Sequence, residues 1–232
     1  MWSTPRTRST ALLRAWENRS DTAVVDEPLY AFYLDGSGAA DPGRDDVLAS
    51  RSADWRKIVD ELVDAPVPDG KRVFYQKHMA QHVLPAVDRR RLAGLRHAFL
   101  IRHPAEMLAS YAKVQAPTLD DLGVLQQRDL YRQFGGPVVD SGDLVREPEP
   151  VLRALCAELG VPFDADMLAW PAGPRSTDGV WGETWYENVR RSTGFVAPQP
   201  DAAPPALPPH LTGVLDRCLP VYEELYANRL RG

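Results

Sequence analysis

The chain has 232 residues, 27 basic and 32 acidic, for a net charge of −5. That length supports one sizeable core, and the acidic balance argues against nucleic acid as the main partner, so any anion site must be assembled from local basic residues. No apolar run of about 18 residues and no signal-peptide core appears, so a membrane span is not expected.

Two cysteines, Cys156 and Cys218, lie within apolar helical patterns. They read as reduced core thiols, with a cytoplasmic location as the expectation. Short apolar runs alternate with longer helical stretches, which predicts an α/β fold, a three-layer αβα arrangement around a central, mostly parallel sheet.

The segment Trp2-Ser3-Thr4-Pro5-Arg6-Thr7-Arg8-Ser9-Thr10 puts two guanidinium groups and a cluster of hydroxyls ahead of the apolar-periodic Ala11–Trp16. A helix entrance exposes free N–H groups and the positive end of the helix dipole, which suits an anion. The same residues also read as a capped helix with surface arginines. Only Met1 and Trp2 stand where a strand should lead into such a loop, so the first strand is either very short or already begun.

Thr22–Val25 reads as a strand closed by the carboxylate pair Asp26-Glu27, fit for a base or a hydroxyl ligand, or simply a solvated strand end. Arg44 to Asp64 reads as one amphipathic helix. Arg72–Tyr75 is a strand that delivers Lys77 and His78 to its C-terminal end, where open α/β sheets place ligands. His78 suits a general base and Lys77 an anion holder. His78 and His82 fall four residues apart, but no Cys or Glu at ligand spacing joins them, and no metal is expected.

His97–Ile101 is the clearest buried strand, followed by a helix from Pro104 to Lys113. Arg102 stands at the strand end and Ser110 two turns along the helix, where both could face one anion. Arg102 could instead pair with Glu106. Asp120–Gln133 reads as a helix, Pro137–Asp140 as a strand, and Pro148–Leu159 as a helix ended by Gly160.

Beyond Trp170 the chain turns to Pro, Gly and aromatic residues. Trp181–Tyr186 and Arg190-Arg191-Ser192-Thr193-Gly194-Phe195 read as a loop over a phosphate with aromatics beside it, or as an aromatic satellite cluster with an exposed basic turn. Pro198–Pro209 reads as a linker or arm before a last helix, Leu211–Asn228. The expected organisation is an α/β domain over 1–197 and an arm with a C-terminal helix over 198–232, packed on the same domain. The arm could equally dock on a second copy, which leaves a homodimer open.

Taken jointly, these pieces resemble the sulfotransferase family that uses 3′-phosphoadenosine-5′-phosphosulfate (PAPS). Ser3–Thr10 resembles its 5′-phosphosulfate loop, with Arg6 where many members carry a lysine. Arg8 stands in the Gly place of the Arg-Thr-Gly-Ser-Thr found in some bacterial members. Ile101–Tyr111 resembles the 3′-phosphate motif, with Arg102 and Ser110 as ligands. Tyr75-Gln76-Lys77-His78 resembles the strand end that supplies a catalytic histidine in many members. Some bacterial carbohydrate sulfotransferases use a carboxylate near the second strand, which brings in Glu27. Arg190–Gly194 resembles a looser form of the late Arg-Lys-Gly loop. The Asp-Glu-Pro, Lys-His-Met and Ser-Thr-Gly-Phe segments also resemble those of a bacterial group within the family.

The resemblance implies a P-loop NTPase-like sulfotransferase fold, PAPS as donor with PAP as product, and no metal requirement. It implies donor contacts from Pro5, Arg6, Thr7, Arg8, Ser9, Thr10, Arg102, Ser110, Arg190, Arg191, Ser192, Thr193 and Gly194. Catalytic roles fall to His78, Lys77, Arg6 and Glu27, and the acceptor is a hydroxyl or amine of a small organic molecule. Tyr30, Tyr33, Trp170, Trp181 and Trp185 would line its pocket or belong to the core. A P-loop kinase takes second place, because the first loop lacks the Gly-x-x-x-x-Gly-Lys-[Ser/Thr] pattern. A non-catalytic nucleotide-binding protein of the same fold stays open beside both.

Overall fold

Five short parallel strands build the centre of the computed structural model, which describes residues 1–196 and 207–231. Their order is β2 (Thr22–Asp26), β3 (Val73–Met79), β1 (Trp2–Ser3), β4 (Phe99–Ile101), β5 (Val138–Asp140). Parallel strands buried on both faces read as continuous apolar runs, and Phe99-Leu100-Ile101 fits that pattern.

The strand expected before the first loop exists as only two residues, and it is the central one. Trp2 pairs with His78 and Phe99, and Ser3 with Met79 and Leu100. Two residues make few ladder bonds, so a side chain reinforces them. The buried Gln127 amide donates to Trp2 O (3.1 Å) and Leu100 O (2.9 Å), tying β1 to β4.

Helices cover both faces. One cluster joins Leu12, Leu13 and Trp16 of α1 (Ser9–Glu17) to Tyr75, Leu100 and Val139, to Leu144 of α8 (Ser141–Arg146), and to Leu152 and Leu155 of α9 (Pro148–Glu158). The other packs α4 (Trp55–Val63), α5 (Pro104–Tyr111), α7 (Val124–Phe134) and α12 (Thr212–Ala227) against Trp2, Phe99, Ile101 and Val138. Cys156 and Cys218 are buried free thiols, one in each cluster.

The single helix expected over Arg44–Asp64 is two. α3 (Arg44–Ser50) stops at extended Arg51, and α4 restarts where Asp54 accepts a capping bond from Arg56 N–H. The helix expected over Asp120–Gln133 is likewise divided, into α6 (Leu119–Leu122) and α7, by Gly123 at φ 64°. Tyr30–Ser37, where the sequence shows no clear period, is helix α2.

Most of the Pro-rich arm, residues 198–206, lies outside the described residues. α12 beyond it packs on α5 and α7, with Tyr222 OH donating to Asp140 Oδ2 (3.1 Å) and Leu230 N–H to Val138 O (2.8 Å). Among the described residues, no helix is long and apolar enough to cross a membrane.

Candidate active site

All five strands point their C-terminal ends the same way, and the loops leaving β1, β2, β3 and β4 meet around a cavity of about 410 Å³. Pro5, Arg6, Arg8, Ser9 and Thr10 line it from β1, Glu27 from β2, Lys77 from β3, and Arg102 and Ser110 from β4 and α5.

The first loop turns by placing two arginines in left-handed backbone conformation, Arg6 at φ 64° and Arg8 at φ 66°. Non-glycine residues seldom adopt that region, and such strain clusters at functional sites. Four such residues occur among the described ones, and three, Arg6, Arg8 and Glu27 (φ 44°), line the cavity. Arg8 thus takes a backbone shape that is more usual for glycine. No side chain caps α1, so its first-turn N–H groups are left for another acceptor where Ser9, Thr10 and Ala11 line the cavity.

Three guanidinium groups gather at this end. Arg6 Nε donates to Ser110 Oγ (3.0 Å), and Arg102 donates from NH1 to Arg6 O (2.7 Å) and from Nε to Glu106 (3.0 Å). Arg102 thus pairs with Glu106 and also lines the cavity. Burial, then the adjacent Arg102 charge, pushes Arg6 and Arg8 below the ordinary arginine range. Glu106 is the only carboxylate in salt-bridge contact with the three among the described residues, so an anion would relieve their repulsion.

Next to them lies a buried polar knot. Strand register sets Asp26 opposite Lys77. Lys77 Nζ donates to Asp26 Oδ1 (2.8 Å), Glu27 Oε1 (2.7 Å), Tyr186 OH (2.9 Å) and Thr10 Oγ1 (3.3 Å). Burial alone would lower the Lys77 ammonium, but Asp26 and Glu27 overcome it and hold the ammonium well above the usual lysine value. Burial raises the Tyr186 phenol well above its ordinary value, so its hydroxyl stays protonated and donates to Asp26 Oδ2 (2.5 Å).

The chain matches the sulfotransferase-domain family over residues 1–228. It belongs to that family. Among solved structures it is similar to the sulfotransferase domain of the Synechococcus PCC 7002 olefin synthase, with TM-score 0.50, 19% identity, and 99% of this chain and 94% of that one covered. It is also similar to a sulfotransferase from Alicyclobacillus acidocaldarius, with TM-score 0.53, 15% identity, and 99% and 96% covered. At these identities the likeness is one of fold.

Two curated relatives from Arabidopsis thaliana, branched-chain-amino-acid aminotransferase-like proteins 2 and 1, are 36% and 38% identical over 230 and 229 residues. Those alignments take in 97% of this chain but 40% of each relative's length. This chain therefore spans less than half the length of either relative.

Several expected site residues sit elsewhere. His78 does not line the cavity. It packs against Trp2 (4.5 Å between ring centroids, planes tilted by 32°), its Nε2 faces Gln76 Oε1 (3.2 Å), and its Nδ1 is buried without a partner among the described residues. Burial drives its pKa well below the histidine value. The strand pleat explains this, because successive side chains leave opposite faces, and Lys77 takes the cavity side. Nor do His78 and His82 form a pair, since His82 stacks on Tyr30 and Tyr33.

Arg190 and Arg191 belong to α11 (Glu187–Arg191), not a loop, and neither lines the cavity. Arg190 pairs with Glu183 (2.8 Å) and Arg191 with Glu187 (3.2 Å). Thr193 binds Trp170 through backbone, while Ser192 and Gly194 do reach the cavity. Thr7 shapes the loop from within, its hydroxyl donating to Thr4 O (2.7 Å). Trp170 and Trp181 are core residues, and Trp185 lines the cavity. Sequence reasoning missed the hydrogen-bonding role of Tyr186 and the presence of Asp41 and His82 in the lining.

Proposed function

We propose that this sulfotransferase domain moves the sulfuryl group of PAPS to a hydroxyl of a small organic acceptor, with Glu27 as base. The observation that carries this reading is one continuous cavity with Arg6, Arg8, Arg102, Ser110 and an uncapped helix entrance at one end and Lys77 with Glu27 at the other. Clustered guanidinium groups short of counter-charge fit a polyanionic donor.

Bound there, the donor supplies a sulfuryl group on a good phosphate leaving group. Arg102 and Ser110 would hold the 3′-phosphate, and Arg6, Arg8 and the first-turn N–H groups of α1 the 5′-phosphate. Thr10 links that loop to Lys77, and Lys77 in turn orients Glu27. Glu27 Oε1 is engaged by Lys77 and Tyr186, while Oε2 has no protein partner among the described residues and can take the acceptor proton. The chemistry asks for positioning, charge stabilisation and one proton transfer, and these groups supply each.

Calorimetry with PAP against ATP plus magnesium, followed by mass-spectrometric screening of metabolites with PAPS for gain of one sulfo group, tests the reading. PAP is expected to bind at least tenfold more tightly than the nucleoside triphosphate. Tighter binding of ATP with magnesium would overturn the assignment in favour of a kinase. Binding of PAP with transfer to no acceptor would leave a non-catalytic nucleotide-binding protein.

A further inference from the structure

The cavity changes character along the strand order. Over β4 and β1 it presents Arg102, Arg6, Arg8 and Ser110. Over β3, β2 and the connection from α2 to α3 it presents Glu27, Asp41, Tyr30 and His82, while Tyr111 and Trp185, the latter 5.8 Å under the Arg6 guanidinium, stand between the two. One end is cationic, the other acidic and aromatic.

Asp41 is the informative residue. Its Oδ2 accepts from Tyr30 OH (2.8 Å), and no Lys, Arg or His lies at salt-bridge distance among the described residues. The Tyr30 hydroxyl is held on Asp41 by ring stacking, since Tyr30 lies on His82 (4.6 Å, 5° between planes) and His82 on Tyr33 (4.8 Å). Tyr30 feels the charges of both Asp41 and Glu27, and Tyr33 and Tyr111 also feel Asp41. A second observation marks this end as a place for a ligand. His82 is buried and lines the cavity, and its Nδ1 has no hydrogen-bond partner among the described residues. Buried polar atoms are normally satisfied.

A carboxylate without a cation, set among aromatic rings, recognises a substituted ammonium by charge and by the ring faces. Seating an uncharged acceptor there would strip water from Asp41 with only the Tyr30 hydroxyl to compensate, and an anionic acceptor would be repelled. We propose that the acceptor is a hydroxyl compound carrying a protonated or quaternary ammonium, its cation against Asp41 beside Tyr30 and Tyr111. This assignment rests on the sulfuryl-transfer reading. In the step, the acceptor oxygen bonds to sulfur as the bridging S–O bond breaks, its electron pair leaves on the 5′-phosphate, and the hydroxyl proton passes to Glu27. The ammonium stays protonated or quaternary and is not the nucleophile.

The test uses the whole chain saturated with PAP, and acceptor-like probes matched in shape but not in charge. Tyramine is compared with ethylphenol and hydroxyphenylpropionate, and choline with its uncharged carbon isostere dimethylbutanol. At least one cation is expected to bind tenfold or more above its uncharged partner, with the anion weakest, and Asp41→Asn to bring that ratio near one while PAP affinity holds. Equal binding within both pairs, a preferred anion, or a preference that survives in Asp41→Asn overturns the assignment of acceptor class alone. Failure of the wild-type chain to bind PAP overturns the donor reading and this proposal with it.

Discussion

Lys77 and His78 are neighbours on β3 and almost equally buried, at 0% and 3% exposure, yet they belong to different parts of the molecule. Lys77 meets two carboxylates, a phenol and the first loop, and lines the cavity. His78 meets the Trp2 ring and the Gln76 amide and leaves one nitrogen with no partner. Burial acts on both ammonium and imidazolium by disfavouring charge. Partners decide the outcome: Asp26 and Glu27 keep Lys77 charged, whereas His78, with none, stays neutral. A strand therefore separates a charged site from an uncharged core across one peptide bond.

The hardest blow to this contrast is Lys77→Ala. It leaves Asp26 and Glu27 buried without their cation, which costs about 3–5 kcal/mol of stability, and it disconnects Thr10 from Glu27. Sulfuryl transfer is expected to vanish, read as PAP release, and the urea midpoint to drop. Lys77→Arg keeps the charge and should recover much of the stability but little of the rate, because a planar fork cannot reproduce four contacts around one nitrogen. Unchanged turnover in either variant would remove Lys77 from the site.

Glu27→Gln is expected to act more selectively. A positioned base contributes roughly 100- to 10,000-fold, so kcat should fall within that range while the KM for the donor, which the proposal places on Arg6, Arg8 and Arg102, changes little. A loss confined to KM would mean that Glu27 binds acceptor without taking its proton.

How much of this was legible beforehand follows from where each property resides. The strand ends carrying Glu27, Lys77 and Arg102, and Ser110 on the helix after one, could be read because apolar runs followed by polar residues mark the ligand edge of an α/β sheet. The ion pair could not, since it depends on β2 lying beside β3 with Asp26 opposite Lys77, and strand order is not local. β1 was legible only as a question, because two residues show no period. The misplacement of His78 has a physical source too: a strand covered on both faces lacks the polar alternation that tells one face from the other. Arg190 looked available because its partner Glu183 gains meaning only once α10 (Gly182–Trp185) folds beside α11, and Arg191 because its pairing with Glu187, four residues back, exists only once that segment is a helix and not a loop.

The gentlest test takes the other side of the strand. His78→Leu should leave turnover within about threefold, since the ring does not reach the cavity, and it removes an unpartnered nitrogen from the core. Its signature belongs in the pH dependence of stability. The folded-state pKa values of His78 and His82 lie well below 6.5, each lowered chiefly by burial. As pH falls below about 6.5, the unfolded chain takes up protons that the folded one refuses. Stability that is intact at neutral pH is therefore lost toward acid, by up to about 1.4 kcal/mol per pH unit for each histidine. Urea unfolding at intervals between pH 7 and 5 should give a slope that is shallower by about one proton in His78→Leu than in the wild type. An unaltered slope would mean that His78 is protonated in the fold, and a collapse of turnover would return it to the active site.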